Sequence, residues 1–196
     1  MAQQGDGPIE LYEAAVQGFR QTLSGVQSGQ MGDSTPCTEW DVQKLIIHNL
    51  KVFGFAAGVL VENITVDSMQ VEGPIPGGDP VKALDDAVAE VYGIIKAAGS
   101  VDTAISTPFG DMTRGQFLIT PTWDLLMHRW DLAKGTGQNT TMDPMLTEVC
   151  FAAMGPQADG LRDMEFGGKH IVGPRVAVSD SASLQDQMLG AFGRAP

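Results

Sequence analysis

Four stretches of this chain repeat apolar side chains at helical spacing, and each is fenced by its own start and stop signals. The first runs from Ile9 to about Val26 through Tyr12, Ala15, Val16, Phe19 and Leu23. The second opens at Thr38, read as an N-cap with Asp41 three residues on. It continues through Val42, Leu45, Ile46, Phe53, Ala56, Val59 and Leu60 to near Asn63. Asp79-Pro80 starts the third, a capping acid followed by proline at the first helical position. Leu84, Val88, Val91, Tyr92 and Ile95 mark its face and Gly99 its end. Thr113 and Gln116 form a capping box for the fourth, which stops at Gly135 and Gly137. A shorter fifth helix begins at Asp143-Pro144 and reaches about Ala153. Between the third and fourth, Thr103 to Thr107 followed by Pro108-Phe109-Gly110 reads as an extended segment and a turn. From Gly155 onward the pattern changes. Gly167-Gly168 and the stretch Ile171 to Val178, broken by Pro174, precede a short helix from Leu184 to about Phe192 with Ser183 and Asp186 at its start. The expectation is an all-α antiparallel four-helix bundle over residues 1–154. Residues 155–196 are expected as an irregular tail packed on it within the same domain.

The 196 residues suit one domain, and a hydrophobic fraction of 43% is enough for a core. A net charge of −12, from 24 acidic and 12 basic residues, argues against nucleic acid and anionic membranes, because phosphate binding needs clustered Lys and Arg. Apolar runs break well short of about 18 residues, so no membrane span is expected. Met1 to Pro8 lacks the basic-then-apolar pattern of a signal peptide, which makes the cytoplasm the expected location. Cys37 and Cys150 offer no disulfide framework and no CxxC, and read as free buried thiols.

Asp124 and His128 lie four residues apart on the fourth helix, hence on one face and within reach of one small object. Such a pair is half of a metal site or an acid–base pair. Pro121, one turn earlier, predicts a kink that would open a pocket at this level. His48 falls three residues after Leu45 and four before Val52, so it faces inward with the apolar stripe. Taken alone it reads as a satisfied core histidine. Combined with Asp124 and His128 it completes a two-histidine, one-carboxylate set with open positions for water or substrate, suited to zinc or nickel. The bland alternative is a buried Asp124–His128 ion pair with His48 separate. Trp40, Trp123 and Trp130 read as core and bundle-end packing. Asp131 reads as a local hydrogen bonder more readily than as an acceptor for His128. His170 is expected to ligate nothing, and Arg114 and Arg129 to form surface ion pairs in preference to binding a substrate carboxylate.

The run Thr35-Pro36-Cys37-Thr38-Glu39-Trp40-Asp41-Val42, with Leu45 and His48, resembles the opening motif of the DinB-like superfamily. More narrowly, it is similar to the N-terminal domain of mycothiol-dependent maleylpyruvate isomerases and their short relatives. Asp124, His128, Trp130 to Ala133 and Gly135-Thr136-Gly137 resemble the second motif. Pro108-Phe109-Gly110 resembles a lesser one, and Leu189 to Pro196 the close of these relatives. The resemblance implies an up-down four-helix bundle with a divalent metal held by His48, Asp124 and His128. It implies mycothiol or an analogous low-molecular-weight thiol as cosubstrate, and a transferase or isomerase acting on a small electrophile. A non-catalytic metal-binding or stress-response bundle and a metal–water hydrolase stay open, as does a homodimer. One departure stands out: the isomerases carry Glu where this chain has Asp124. The larger isomerases also have a C-terminal α/β domain; residues 155–196 are too few for one, so no site residue is carried over from it.

Overall fold

The computed structural model describes residues 7–166 and 168–196; the first six residues of the Met1–Pro8 stretch, and Gly167, lie outside it. Four long helices carry the fold: α1 (Pro8–Ser24), α2 (Val42–Leu60), α3 (Pro80–Ala98) and α4 (Arg114–Gly135). They pack as a bundle in which α1 and α2 each lie against both α3 and α4. Phe19, Leu45, Ile46, Phe53, Leu84, Phe117, Leu118 and Trp130 are fully buried between them. Each large aliphatic or aromatic side chain so buried stabilises the fold by roughly 1.5–3 kcal/mol relative to exposure. No described helix is long and apolar enough to cross a membrane.

The helix starts are set by local chemistry. Thr113 Oγ1 accepts from the Gln116 backbone N–H while Gln116 Oε1 accepts from the Thr113 N–H, the reciprocal box expected from sequence. Asp79 accepts from the N–H groups of Val81 and Lys82, and Asp143 from those of Met145 and Leu146. The start of α2 differs from expectation. Its N-cap is Asp41, whose carboxylate accepts from the Lys44 N–H at 2.8 Å; Thr38 is exposed in the loop before it. A carboxylate at the helix start both fills an orphan donor and faces the positive end of the dipole, so it outcompetes the hydroxyl three residues earlier. The same helix ends at Leu60, before Asn63. There the chain folds back so tightly that a Cβ on Gly58 would lie 2.8 Å from the Asn63 carbonyl oxygen.

The extended run before α4 is the first strand of a hairpin. β1 (Ala104–Thr107) pairs antiparallel with β2 (Gly110–Thr113), Thr107 opposite Gly110, and β2 leads directly into the α4 cap. After α4 come α5 (Pro144–Met154), the short α6 (Ala158–Asp163), a second hairpin of β3 (Glu165–Phe166) and β4 (Lys169–His170), and α7 (Leu184–Ala191). The α6 helix has no counterpart in the sequence reading, because six residues containing Gly160 show no periodicity. Residues beyond α5 are fastened by hydrogen bonds: α7 packs on α5, Val176 donates to the Gly190 carbonyl, and Arg162 donates to those of Gly173 and Ala191.

The position of the α2 cap has a measurable consequence. Asp41→Ala should cost about 1 kcal/mol of stability by urea denaturation, and Thr38→Ala less than about 0.5 kcal/mol. The reverse ranking would return the cap to Thr38.

Candidate metal centre

His48 projects from the middle of α2 and His128 from α4, and their rings meet edge to face with centroids 4.8 Å apart. The Trp40 ring closes one side, 4.5 Å from His48 and 5.8 Å from His128. Each imidazole has one nitrogen engaged. His48 Nδ1 lies 2.9 Å from the Ser68 carbonyl oxygen, which can only accept, so Nδ1 carries the proton and donates. His128 Nδ1 lies 3.0 Å from Asp131 Oδ2. Asp131 is fully buried. Burial opposes its ionisation, but the Arg194 guanidinium and the His128 hydrogen bond outweigh that and hold its carboxyl far below the usual range. An ionised carboxylate cannot donate, so His128 Nδ1 does.

In their neutral forms both histidines therefore present an Nε2 lone pair, and both aim it at Asp124. His48 Nε2 is 3.5 Å from Asp124 Oδ2, and His128 Nε2 is 3.5 Å from Asp124 Oδ1. Burial pushes the Asp124 carboxyl up, while the charge of His128 and His48 in their protonated forms holds it below its ordinary value. With both rings neutral, three acceptors converge with no donor between them. His48 Nε2 and Asp124 Oδ2 are buried without a hydrogen-bond partner. Buried orphan acceptors are costly, and a cation removes that cost. Ligand atoms about 2.1 Å from a tetrahedral ion stand ~3.4 Å apart, which matches the two nitrogen–oxygen separations. The residues present fit a divalent ion.

A second group, Cys37, His128 and Asp131, also brings ligand-type atoms together. Here a cation is built in. Arg194 donates to Asp131 through Nη2 at 2.8 Å and Nε at 3.3 Å, and its Nη2 lies 3.5 Å from Cys37 Sγ. The Cys37 thiol donates to Asp131 Oδ2 at 3.2 Å, and burial together with that carboxylate pushes its pKa well above the ordinary thiol value. The loop bearing Cys37 reaches α4 because Gly135 has no side chain; a Cβ there would lie 3.0 Å from the Ser34 carbonyl oxygen.

A cavity of about 430 Å³ leads to the His48 and Asp124 side of the cluster. Pro121 lines it one turn before Asp124, where a pocket is expected from sequence, and α4 stays helical through this point.

The family model for the mycothiol maleylpyruvate isomerase N-terminal domain matches residues 12–133, well over half the chain. This chain belongs to that family. The matched span holds His48, Asp124, His128 and Asp131, and it ends before Arg194. Two uncharacterised proteins of Mycobacterium tuberculosis, one from strain H37Rv and one from strain CDC 1551, are each 32% identical over 161 residues. The match covers 78% of this chain and 82% of theirs. The fold is similar to crystal structures of the mycothiol-dependent maleylpyruvate isomerase and of a histidine-to-alanine mutant of it. Their TM-scores are 0.54 and 0.57 at 14% identity, covering 72% of this chain and 65% of the isomerase.

For this family member, the structure revises several sequence readings. The bland alternative of a His48 separate from the Asp124–His128 pair falls away, since both rings face Asp124. Trp40 is a wall of the cluster as well as a core residue. Asp131 accepts from His128 Nδ1, the role that sequence placed second, and it is also the meeting point of Cys37 and Arg194, which spacing within one helix does not reveal. The contacts of Ser68, Cys37 and Arg194 with the cluster carry no signal in the sequence, because these residues sit in irregular segments. Among the described residues, Arg114 and Arg129 form neither surface ion pairs nor part of the cavity wall. Arg114 donates to the Ala98 carbonyl, and Arg129 to Thr22 Oγ1 and the Thr141 carbonyl. His170 lies on the exposed hairpin near Glu165.

Removing Arg194 would leave the Asp131 carboxylate buried and short of its counter-charge. Arg194→Ala should therefore destabilise the protein by about 3–5 kcal/mol in chemical denaturation, with Arg194→Lys recovering part of the loss. A change below about 0.5 kcal/mol would mean that the pair contributes no more than an exposed salt bridge.

Proposed function

We infer that this protein holds a divalent metal ion through His48, Asp124 and His128 and acts as a thiol-dependent transferase or isomerase on a small electrophile. The observation that carries the inference is the convergence of two histidine lone pairs and a carboxylate with no proton donor among them. Zinc or nickel suits two imidazoles and one carboxylate. Mycothiol, or a thiol like it, is the cosubstrate that family membership favours. When bound, the ion would accept the thiol sulfur and lower its pKa, so that the thiolate is present near neutral pH.

The chain's own residues do the rest. The Ser68 carbonyl and the Asp131 carboxylate each accept a hydrogen bond from the Nδ1–H of a histidine, fixing both rings with Nε2 inward. Trp40 stacks against both rings and excludes water from that side. Asp124 is 19% exposed and lines the cavity, so its side of the cluster is the open one. In a conjugation, the new bond joins sulfur to the electrophilic carbon and the thiol proton ends on the adduct or the leaving group. In an isomerisation the same bond later breaks and the thiol is regenerated. His48, Asp124 and His128 serve as ligands in this scheme, not as the base.

Protein purified without a chelating tag should contain about one divalent ion per chain by elemental analysis. His48→Ala should reduce that content sharply while far-UV circular dichroism stays unchanged, since one histidine is a small part of the buried surface. Equal metal in wild type and variant would exclude His48 as a ligand.

The thiol half has its own readout. A small thiol added to cobalt-substituted protein should give a sulfur-to-metal charge-transfer band, and Asp124→Ala should abolish it. Conjugation of that thiol to an electrophile should be accelerated by wild type and not by His128→Ala. A spectrum blind to thiols, with no acceleration, would move a metal–water hydrolase or a non-catalytic metal-binding bundle ahead.

A further inference from the structure

We propose that the small molecule taken up beside this centre is uncharged and largely apolar, and is not a carboxylate. The proposal rests on the preceding reading in one respect: it takes the cavity as the place where the electrophile meets the thiol.

The cavity wall is built from α2, the α2–α3 connection, the β1–β2 hairpin, α4, the end of α5 and residues beyond it. Val52, Phe55, Met112, Ile119 and Trp123 are among its apolar members. No lysine or arginine is among the described residues that line it. Away from His48 and Asp124, its polar members are neutral except for Asp111, which adds negative charge. The arginines of the bundle are committed elsewhere. Arg114 donates to the Ala98 carbonyl, Arg129 to Thr22 and Thr141, and Arg194 to Asp131. None of these partners lines the cavity.

Carboxylates are recognised in buried sites by guanidinium or ammonium donors, often two-pronged. An anion entering this cavity would lose its hydration and find apolar walls and one further carboxylate. The net charge of −12 adds a field that repels it from a distance. Charge at the centre is already balanced: a divalent ion with Asp124 and one thiolate sums to zero, which leaves nothing to neutralise a second anion. Maleylpyruvate, the molecule in the relatives' name, carries two carboxylates, and no lysine or arginine described in this wall would pair with either. An uncharged, apolar electrophile meets none of these costs and gains from burial against the aromatic and aliphatic wall.

Two fluorescent probes share one ring system and differ in a single anionic group: N-phenyl-1-naphthylamine and 1-anilinonaphthalene-8-sulfonate. Titrated into the whole protein as purified, the neutral amine should bind at least about tenfold more tightly than the sulfonate, the size of effect expected for one unpaired buried charge. Trp123, in the cavity wall, should be quenched as the amine binds. Ile119→Arg, which places a guanidinium in the wall, should erase or invert the preference. Met112→Lys, on β2, does the same from the other side should the first variant fold poorly. Equal or tighter sulfonate binding by wild type, failure of the neutral amine to bind, or a preference indifferent to both substitutions would overturn the proposal. Metal content and the cobalt–thiol band, read on the same preparation, score the metal–thiol reading separately. A protein without metal that keeps the tenfold preference loses that reading and keeps this one. A protein that binds metal and thiol yet prefers the sulfonate loses this one alone.

Discussion

A single buried carboxylate organises this molecule. Asp131 has no exposed side-chain surface, and a charge in that position is tolerable only if it is fully paired. Three partners converge to pair it, and they come from distant parts of the chain. His128 approaches from one turn earlier on α4, Cys37 from the loop ahead of α2, and Arg194 from beyond α7. The demand of one anion thus fixes the loop and the last residues against the bundle. It also decides which nitrogen of His128 faces the cluster. The geometry on the Asp124 side follows from electrostatics on the Asp131 side.

The division of the centre into two faces has a physical logic. One face is closed, with Arg194, Asp131 and Cys37 packed and mutually satisfied, and Trp40 lies across both rings. The other face is open toward an apolar cavity and carries the unpaired acceptors. The α2–α3 connection contributes through the backbone: the Ser68 carbonyl orients His48 in the way that Asp131 orients His128. One histidine is therefore aimed by a neutral dipole and the other by a full charge.

Much of the fold was legible because helices announce themselves twice, in period and in caps. The Thr113–Gln116 box, Asp79-Pro80 and Asp143-Pro144 place three starts correctly. Thr38 failed because two capping residues compete in one short run, and only the backbone angles at Asp41 decide between them. The trio His48, Asp124 and His128 was readable from i,i+4 spacing and from the inward phase of α2, although spacing alone left a separate His48 open. Cys37, Ser68 and Arg194 carry no periodic signal at all. Their contribution depends on where irregular segments land, which is a tertiary outcome. Asp131 shows the limit most clearly: its position on α4 was evident, yet its bonding is set by residues 94 and 63 positions away.

The shared carboxylate also makes two distant events parts of one equilibrium. Whatever strengthens the hold of Asp131 on the His128 ring changes the charge available to Arg194, and the converse holds equally. Thermodynamic linkage makes this reciprocal: if occupancy at the Nε2 side of His128 tightens the docking of the segment after α7, then docking of that segment tightens occupancy by the same factor. The last few residues of the chain, which do not line the cavity, would in this sense be coupled to an ion held at His128 through Asp131.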